Sequence, residues 1–171
     1  MMKLTSICSI VCLLGLFGCN NKAPEETSIL SLEELGEQFI VAAHTGDLSA
    51  IDRLYTTQEE FAATFSGDGI DELYRTIRTA FDTSISQILP SLKDAKYVRM
   101  NMEFCPEPVQ TEPGMDFGGA AFKISTLATD NMHVIANITG KTYDIKLDSL
   151  IKVGDKWRLL SPVGPITQFE E

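Results

Sequence analysis

The side chains that could do chemistry in this sequence are few: four cysteines, two histidines and some acidic residues set among glycines. Cys19 stands out by its surroundings. Gly18 precedes it at the end of an apolar run from Ile7 to Phe17, and Lys3 supplies the one charge before that run. Positive start, short apolar stretch and small residue make a secretion signal, too short to span a bilayer as a stable helix. Cys105 has no cysteine or histidine partner at metal-ligand spacing, so it reads as a small buried hydrophobe or, failing that, a thiol for an intermolecular bridge. Asp116-Phe117-Gly118 could set a carboxylate beside a metal and a phosphate, but neither a catalytic loop nor a glycine-rich phosphate loop accompanies it. Gly67-Asp68-Gly69-Ile70-Asp71 lacks the ligand spacing of a calcium loop. His44 falls at the C-terminal end of the first helical pattern, where a cation suits the helix dipole. His133 reads as a surface or interface residue. No metal and no cofactor is expected from these residues.

The Leu16-Phe17-Gly18-Cys19 ending resembles a bacterial lipobox, whose cysteine is lipid-modified and becomes the first residue of the mature protein. The resemblance implies a signal peptide at 1–18 and a polar tether at 19–30 that starts from lipidated Cys19. It also implies a membrane-anchored lipoprotein of the bacterial cell envelope, on its periplasmic or outer face. Asn20 after the cysteine leans toward the outer membrane. Cys8 and Cys12 leave with the signal and Cys19 is taken by lipid, so Cys105 alone remains and no intramolecular disulfide is expected. Asn137-Ile138-Thr139 fits a glycosylation sequon, a signal rarely read in bacteria.

Charge narrows the partners. The chain carries 14 basic and 24 acidic residues, a formal −10 that becomes −11 once Lys3 is removed. Such a surface repels phosphate backbones, which excludes nucleic acid, and stands off anionic lipid. The acyl chains must supply the anchorage. Residues 20–29 reach roughly 35 Å at full extension, so the domain is leashed close to its membrane.

The elements that must position any site follow from periodicity. Ser31 and Glu34 form a capping box, with Leu30 and Leu35 as its hydrophobic staple, before Leu32, Leu35, Phe39, Ala42 and Ala43 on one helical face. Gly46 ends that helix, and Asp47 caps a short second one with Leu48, Ile51, Leu54 and Tyr55. Thr57 and Glu60 repeat the box before Phe61 and Phe65. Ile70, Leu73, Ile77, Phe81, Ile85 and Ile88 mark a longer amphipathic helix that Pro90 stops. From residue 95 the period falls to 2. Val98, Met100, Met102 and Phe104 alternate with polar residues, and 106–119, with three prolines and three glycines, reads as a long loop. Phe122–Leu127, Met132–Thr139, Thr142–Val153 and Lys156–Ser161 read as strands, with tight turns at Gly140-Lys141 and Gly154-Asp155. Helices first and a meandering antiparallel sheet afterwards predict an α+β domain at 31–165, followed by an acidic tail at 166–171.

Two stretches carry a wider resemblance. Phe39-Ile-Val-Ala-Ala-His-Thr-Gly-Asp-Leu-Ser-Ala-Ile-Asp-Arg-Leu-Tyr55 is similar to the opening of the NTF2-like superfamily, and Ile151-Lys-Val-Gly-Asp-Lys-Trp-Arg-Leu159 is similar to its closing hairpin. The resemblance covers residues 31–163. It implies a cone, with N-terminal helices packed in the concave face of a curved antiparallel sheet. In that cone Val98, Met100, Met102, Phe104, Phe122, Ile124, Met132, Val134, Ala136, Ile138, Tyr143, Ile145, Leu147, Trp157 and Leu159 point inward. The set holds no carboxylate and no histidine, which disfavours acid–base catalysis. The expected function is non-catalytic binding of a small apolar ligand or a partner protein, with Tyr55, Tyr143 and Trp157 as the polar edges of the site. The alternatives are an isomerase- or dehydratase-type enzyme, and a structural or interaction module whose cone is filled. The mixed face bearing Tyr97, Ile135 and Ile151 suggests a homodimer, and Val109, Met115 and Phe117 in the long loop suggest a lid.

Overall fold

The computed structural model describes residues 31–101 and 107–169. Cys19, the signal, the tether, Leu30, Met102, Phe104 and Cys105 lie outside the described residues. Four helices come first: α1 (Leu32–Thr45), α2 (Leu48–Leu54), α3 (Gln58–Thr64) and α4 (Ile70–Ile88), with a 3₁₀ helix at Leu89–Leu92. Both capping boxes form: Ser31 and Thr57 accept from the third amide of their helices, and Glu34 and Glu60 reach back to the cap amides. Gly46 closes α1 in the left-handed conformation that glycine adopts without strain.

The strands are β1 (Phe65–Ser66), β2 (Ala95–Met100), β3 (Val109–Gln110), β4 (Asp116–Phe117), β5 (Ala120–Phe122), β6 (Leu127–Ile138), β7 (Lys141–Val153), β8 (Lys156–Leu159) and β9 (Ile166–Gln168). One sheet runs β2-β6-β7-β8, with β3 also on β6 and β9 also on β7; a smaller sheet runs β1-β5-β4. All named strand pairs are antiparallel. The larger sheet curls into a half-barrel around α1, so the domain is a cone-like α+β fold. Its curl has a local cause. The β6–β7 register shifts between Thr129 and His133, opposite Asp148, where Asn131 and Asp148 take positive φ. Bulges of this kind bend a strand and raise its twist.

The bend gives the hairpin two cores. On the concave side Leu35, Phe39 and Ala43 of α1 meet Met132, Val134, Ala136, Ile145 and Leu147. Near its other end Ile151 turns to the opposite side, where Phe61, Phe65, Phe122 and Leu160 enclose it. The aromatic rings there lie close, with Phe65 centred 4.7 Å from both Phe61 and Phe122.

Several expectations change at these bulges. Val98 is the unpaired extra residue between Tyr97 and Arg99 in β2, so it is 49% exposed rather than inward, while Tyr97 packs on the concave core. Ile124 is 44% exposed because the strand ends at Phe122 and the chain bends before β6 begins at Leu127. The stretch 107–119 is no plain loop: β3 and β4 pair with β6 and β5, and Phe117 packs against Phe65. Ile135 and Ile151, which the sequence placed on the mixed outer face, are both buried within the chain, while Tyr97 is partly buried. Ile166–Gln168, assigned to the tail on sequence grounds, forms β9 against β7.

Candidate functional site

Tyr55 and Trp157 share the larger core, Tyr55 bridging Leu159 on the strand that carries Trp157, whereas Tyr143 stands apart from them. Tyr55 ends α2 with its ring buried against Phe81, centroids 4.2 Å apart, and its hydroxyl donates to the Leu160 carbonyl at 3.3 Å. Burial, with Tyr74 next to it, holds this phenol well above its ordinary pKa. Trp157 is buried in the concave core opposite Lys152. Tyr143 is half-buried opposite Ala136, nine residues of strand from Lys152, or roughly 30 Å along β7. Around them the concave face is packed: Leu35, Phe39, Met132, Val134, Ile145, Leu147 and Leu159 are fully buried.

A more open apolar space lies under the arm made by β3, β4 and β5. A cavity of about 240 Å³ is lined there by Val109, Met115, Phe117, Phe122, Leu150 and Leu160, with Thr111, Thr129, Asp130 and Ser149 as its polar members. Its floor is rigid, since Phe122, Leu150 and Leu160 belong to the buried cores. Its mouth is apolar: Val109 is 59% and Met115 44% exposed. Backbone bonds hold the arm in place, Thr111 N donating to Thr126 O at 2.7 Å and Phe122 N to Met115 O at 3.0 Å. The signal in the sequence was Val109, Met115 and Phe117 inside a proline- and glycine-rich stretch. What it lacked was their wall, because Leu150 and Leu160 come from β7 and the segment after β8.

A second groove runs between α2 and α4. Arg78 spans it, bonding through Nε to both oxygens of Asp82 at 3.0 and 3.2 Å and through its terminal nitrogen to Asp52. The guanidinium also lies over the Tyr55 and Phe81 rings, 5.1 and 5.6 Å from their centroids. Burial opposes its charge, yet the bonds from Asp82 and Asp52 outweigh burial and hold the pKa above the ordinary arginine value. Two carboxylates on one guanidinium leave the groove acidic. Sequence reasoning missed this cluster, although Arg78 and Asp82 stand four apart on one helix.

The two histidines are separate. His44 is exposed in the last turn of α1, at the carbonyl end of its dipole. His133 is half-buried, with Nδ1 2.9 and 3.0 Å from the two Asp144 oxygens and Nε2 3.4 Å from the Asn131 amide oxygen. The carboxylate orients the ring as it would orient a general base, but on the face opposite the cone core. Beside it Asn101 donates its backbone N–H to the His133 carbonyl at 2.9 Å, while its fully buried side-chain amide finds no partner among the described residues. Among the described residues no three His, Cys, Asp or Glu side chains gather as a metal site. No helix of the described residues is long and apolar enough to cross a membrane. Comparison of the chain with known protein families, curated proteins and solved structures returns no match.

Proposed function

We propose that this chain is a lipid-anchored protein of the bacterial envelope whose NTF2-like domain binds a small apolar or amphipathic molecule without transforming it. The observation that carries the reading is the cavity under the β3–β5 arm, with its buried aromatic and aliphatic floor and its exposed Val109 and Met115. Ligand sites are concave and mostly apolar, with a few polar groups that fix orientation; Thr111, Ser149 and Asp130 supply these here. A molecule with a short hydrocarbon body and a hydroxyl or amine head matches that lining. The packed concave face supports placing the ligand under the arm rather than inside the cone. The helix–turn–helix opening and the Gly-Asp-Lys-Trp hairpin support the NTF2-like assignment, and the lipobox ending at Cys19 supports the anchor.

An apolar fluorescent dye titrated onto the protein tests the ligand site. Val109→Asp and Met115→Asp put charge at the mouth on exposed positions, so both variants keep the fold. Each is expected to weaken dye binding by about ten-fold or more, the cost of setting a charge beside a desolvated apolar ligand. Unchanged binding in both variants places the ligand elsewhere. For the anchor, Cys19→Ala is expected to move the protein from the membrane fraction to the soluble one, and persistent membrane retention contradicts the lipobox reading.

A further inference from the structure

We infer that the cavity under the β3–β5 arm selects a monocation, a primary ammonium on a short hydrocarbon body, with Asp130 and Ser149 as the pair that reads its head. The inference rests on the ligand reading above and deepens it by fixing the charge of the ligand. Its source is the bulge between β6 and β7. Thr129 lies opposite Leu150 and Met132 opposite Asp148, so Asp130 and Asn131 on β6 face Ser149 alone on β7. Two residues against one break the alternation of the ladder, and a bulge beside a site re-aims its side chains. Asp130 and Ser149 both line the cavity at this point. The β3 pairing stops at Val109 and Ala128, so the polar pair lies past the end of the arm's hold on β6.

The other polar members of the lining are already engaged. Thr111 Oγ1 donates to the Thr126 carbonyl at 3.1 Å and accepts from the Thr126 amide at 3.2 Å. Thr129 Oγ1 lies 3.4 Å from both the Asp130 carbonyl and Met132 Sδ. Ser149 donates its amide to Ser161 Oγ at 2.8 Å and accepts at its carbonyl from Leu160 N at 3.0 Å, which leaves its hydroxyl. Among the described residues neither that hydroxyl nor the Asp130 carboxylate has a hydrogen-bond or ion-pair partner. Among the described residues that line the cavity, Asp130 alone is charged. A carboxylate accepts and never donates, and a charged donor bonds it more strongly than a neutral one. An ammonium supplies three donors, enough for Asp130, for Ser149 and for water at the exposed rim. A carboxylate head would meet Asp130 as a like charge. One carboxylate calls for one positive charge, because a second ammonium would press into the buried floor of Phe122, Leu150 and Leu160, where an unpaired charge is costly. The whole chain, at −10, draws cations toward the site over longer range.

The test uses the full chain in nanodiscs of zwitterionic lipid, with empty discs as the blank, and isothermal titration calorimetry. The probes share one hydrocarbon body and differ in the head: hexylamine, hexanol, hexanoate and hexamethylenediamine. Hexylamine is expected to bind about five-fold more tightly than hexanol, the size of an ion pair at an exposed rim. Hexanoate is expected to bind more weakly than hexanol, and the diamine more weakly than hexylamine. Asp130→Asn is expected to bring hexylamine to the level of hexanol, and Ser149→Ala to weaken hexylamine about three-fold. Asp130 is exposed and the Ser149 hydroxyl bonds no described residue, so both variants keep the fold, which unchanged circular dichroism checks. Hexylamine no tighter than hexanol, or a preference that survives Asp130→Asn, overturns the inference while the apolar cavity stands. A diamine that binds more tightly than hexylamine overturns it too, since diffuse charge attraction favours the dication. Failure of all four probes to bind removes the ligand reading itself, and this inference with it.

Discussion

Gly36 sits where α1 comes closest to the sheet. A Cβ built there would lie 2.5 Å from Met100 Sδ and 2.8 Å from Val134 Cγ2. Alanine would gain about 0.5–1 kcal/mol of helix propensity, but overpacking costs about 1–3 kcal/mol, so packing wins. Gly36→Ala is expected to lower stability by about 1–2 kcal/mol in urea denaturation; a stabilised variant would mean that α1 is free to lift. The phenols make a second prediction at this scale. Burial, with Tyr74 nearby, raises the Tyr55 pKa; burial and the bond to Glu33 raise that of Tyr97; burial raises that of Tyr74. The folded state then holds protons that the unfolded state releases from about pH 10, so stability is intact below that pH and declines above it. Thermal melts against pH should show this alkaline loss, and Tyr55→Phe should make it shallower. A melting temperature flat to pH 11 in the native sequence would contradict it. The residues themselves left uneven traces in the sequence. Glu60 and Glu34 announced their caps by local spacing, whereas Gly36 gave none, because what it touches lies some sixty and a hundred residues away.

The helical elements were legible and the strand edges were not, for one physical reason. A capping box, a glycine stop and a 3.6 period are written within a few neighbouring residues: α1 and α3 begin at their boxes, α2 begins at its Asp47 cap and α1 ends at Gly46, whereas α2 and α3 end in extended residues that carry no such signal. A strand's register depends on its partner, and one extra residue turns every later side chain over. The bulge at Val98 and the shifts near Met132 come from pairing with β6 and β7, which no local pattern encodes. The tight turns at Gly140 and Gly154 could be read because both need positive φ. One side chain joins the two kinds of element. Glu60 accepts from the Thr57 amide through one oxygen at 2.9 Å and from Arg158 on β8 through the other at 3.1 and 3.2 Å. Glu60→Gln keeps an oxygen for the cap but withdraws the charge from a guanidinium that is 12% exposed. A loss of about 1–3 kcal/mol is expected, with Glu60→Ala costing about 1 kcal/mol more because the cap goes too. Equal losses in the two variants, measured by chemical denaturation, would show that the cap contributes nothing.

Among the described residues the domain is a cone-like half-barrel with a packed concave face and a second small core on the back of its long hairpin, and the arm over that core overhangs the apolar space. Sequence periodicity foretold an apolar concave face, and the family resemblance foretold helices packed against it, with a filled cone as one alternative. The arm's residues were visible as an unusual loop, yet their role depended on two cores that meet only in three dimensions. Methionines make the two spaces separable, since Met115 lines the arm cavity while Met100 is buried in the cone. The buried core residues described fall between Leu35 and Val163, all within residues 22–171. The most direct measurement is therefore a carbon-13 methyl spectrum of residues 22–171, labelled at methionine and titrated with octanol. A saturable shift of the Met115 methyl signal with Met100 unmoved is the predicted result. Movement of Met100 with Met115 still would put the ligand inside the cone, and no movement of either would remove the apolar ligand from the account.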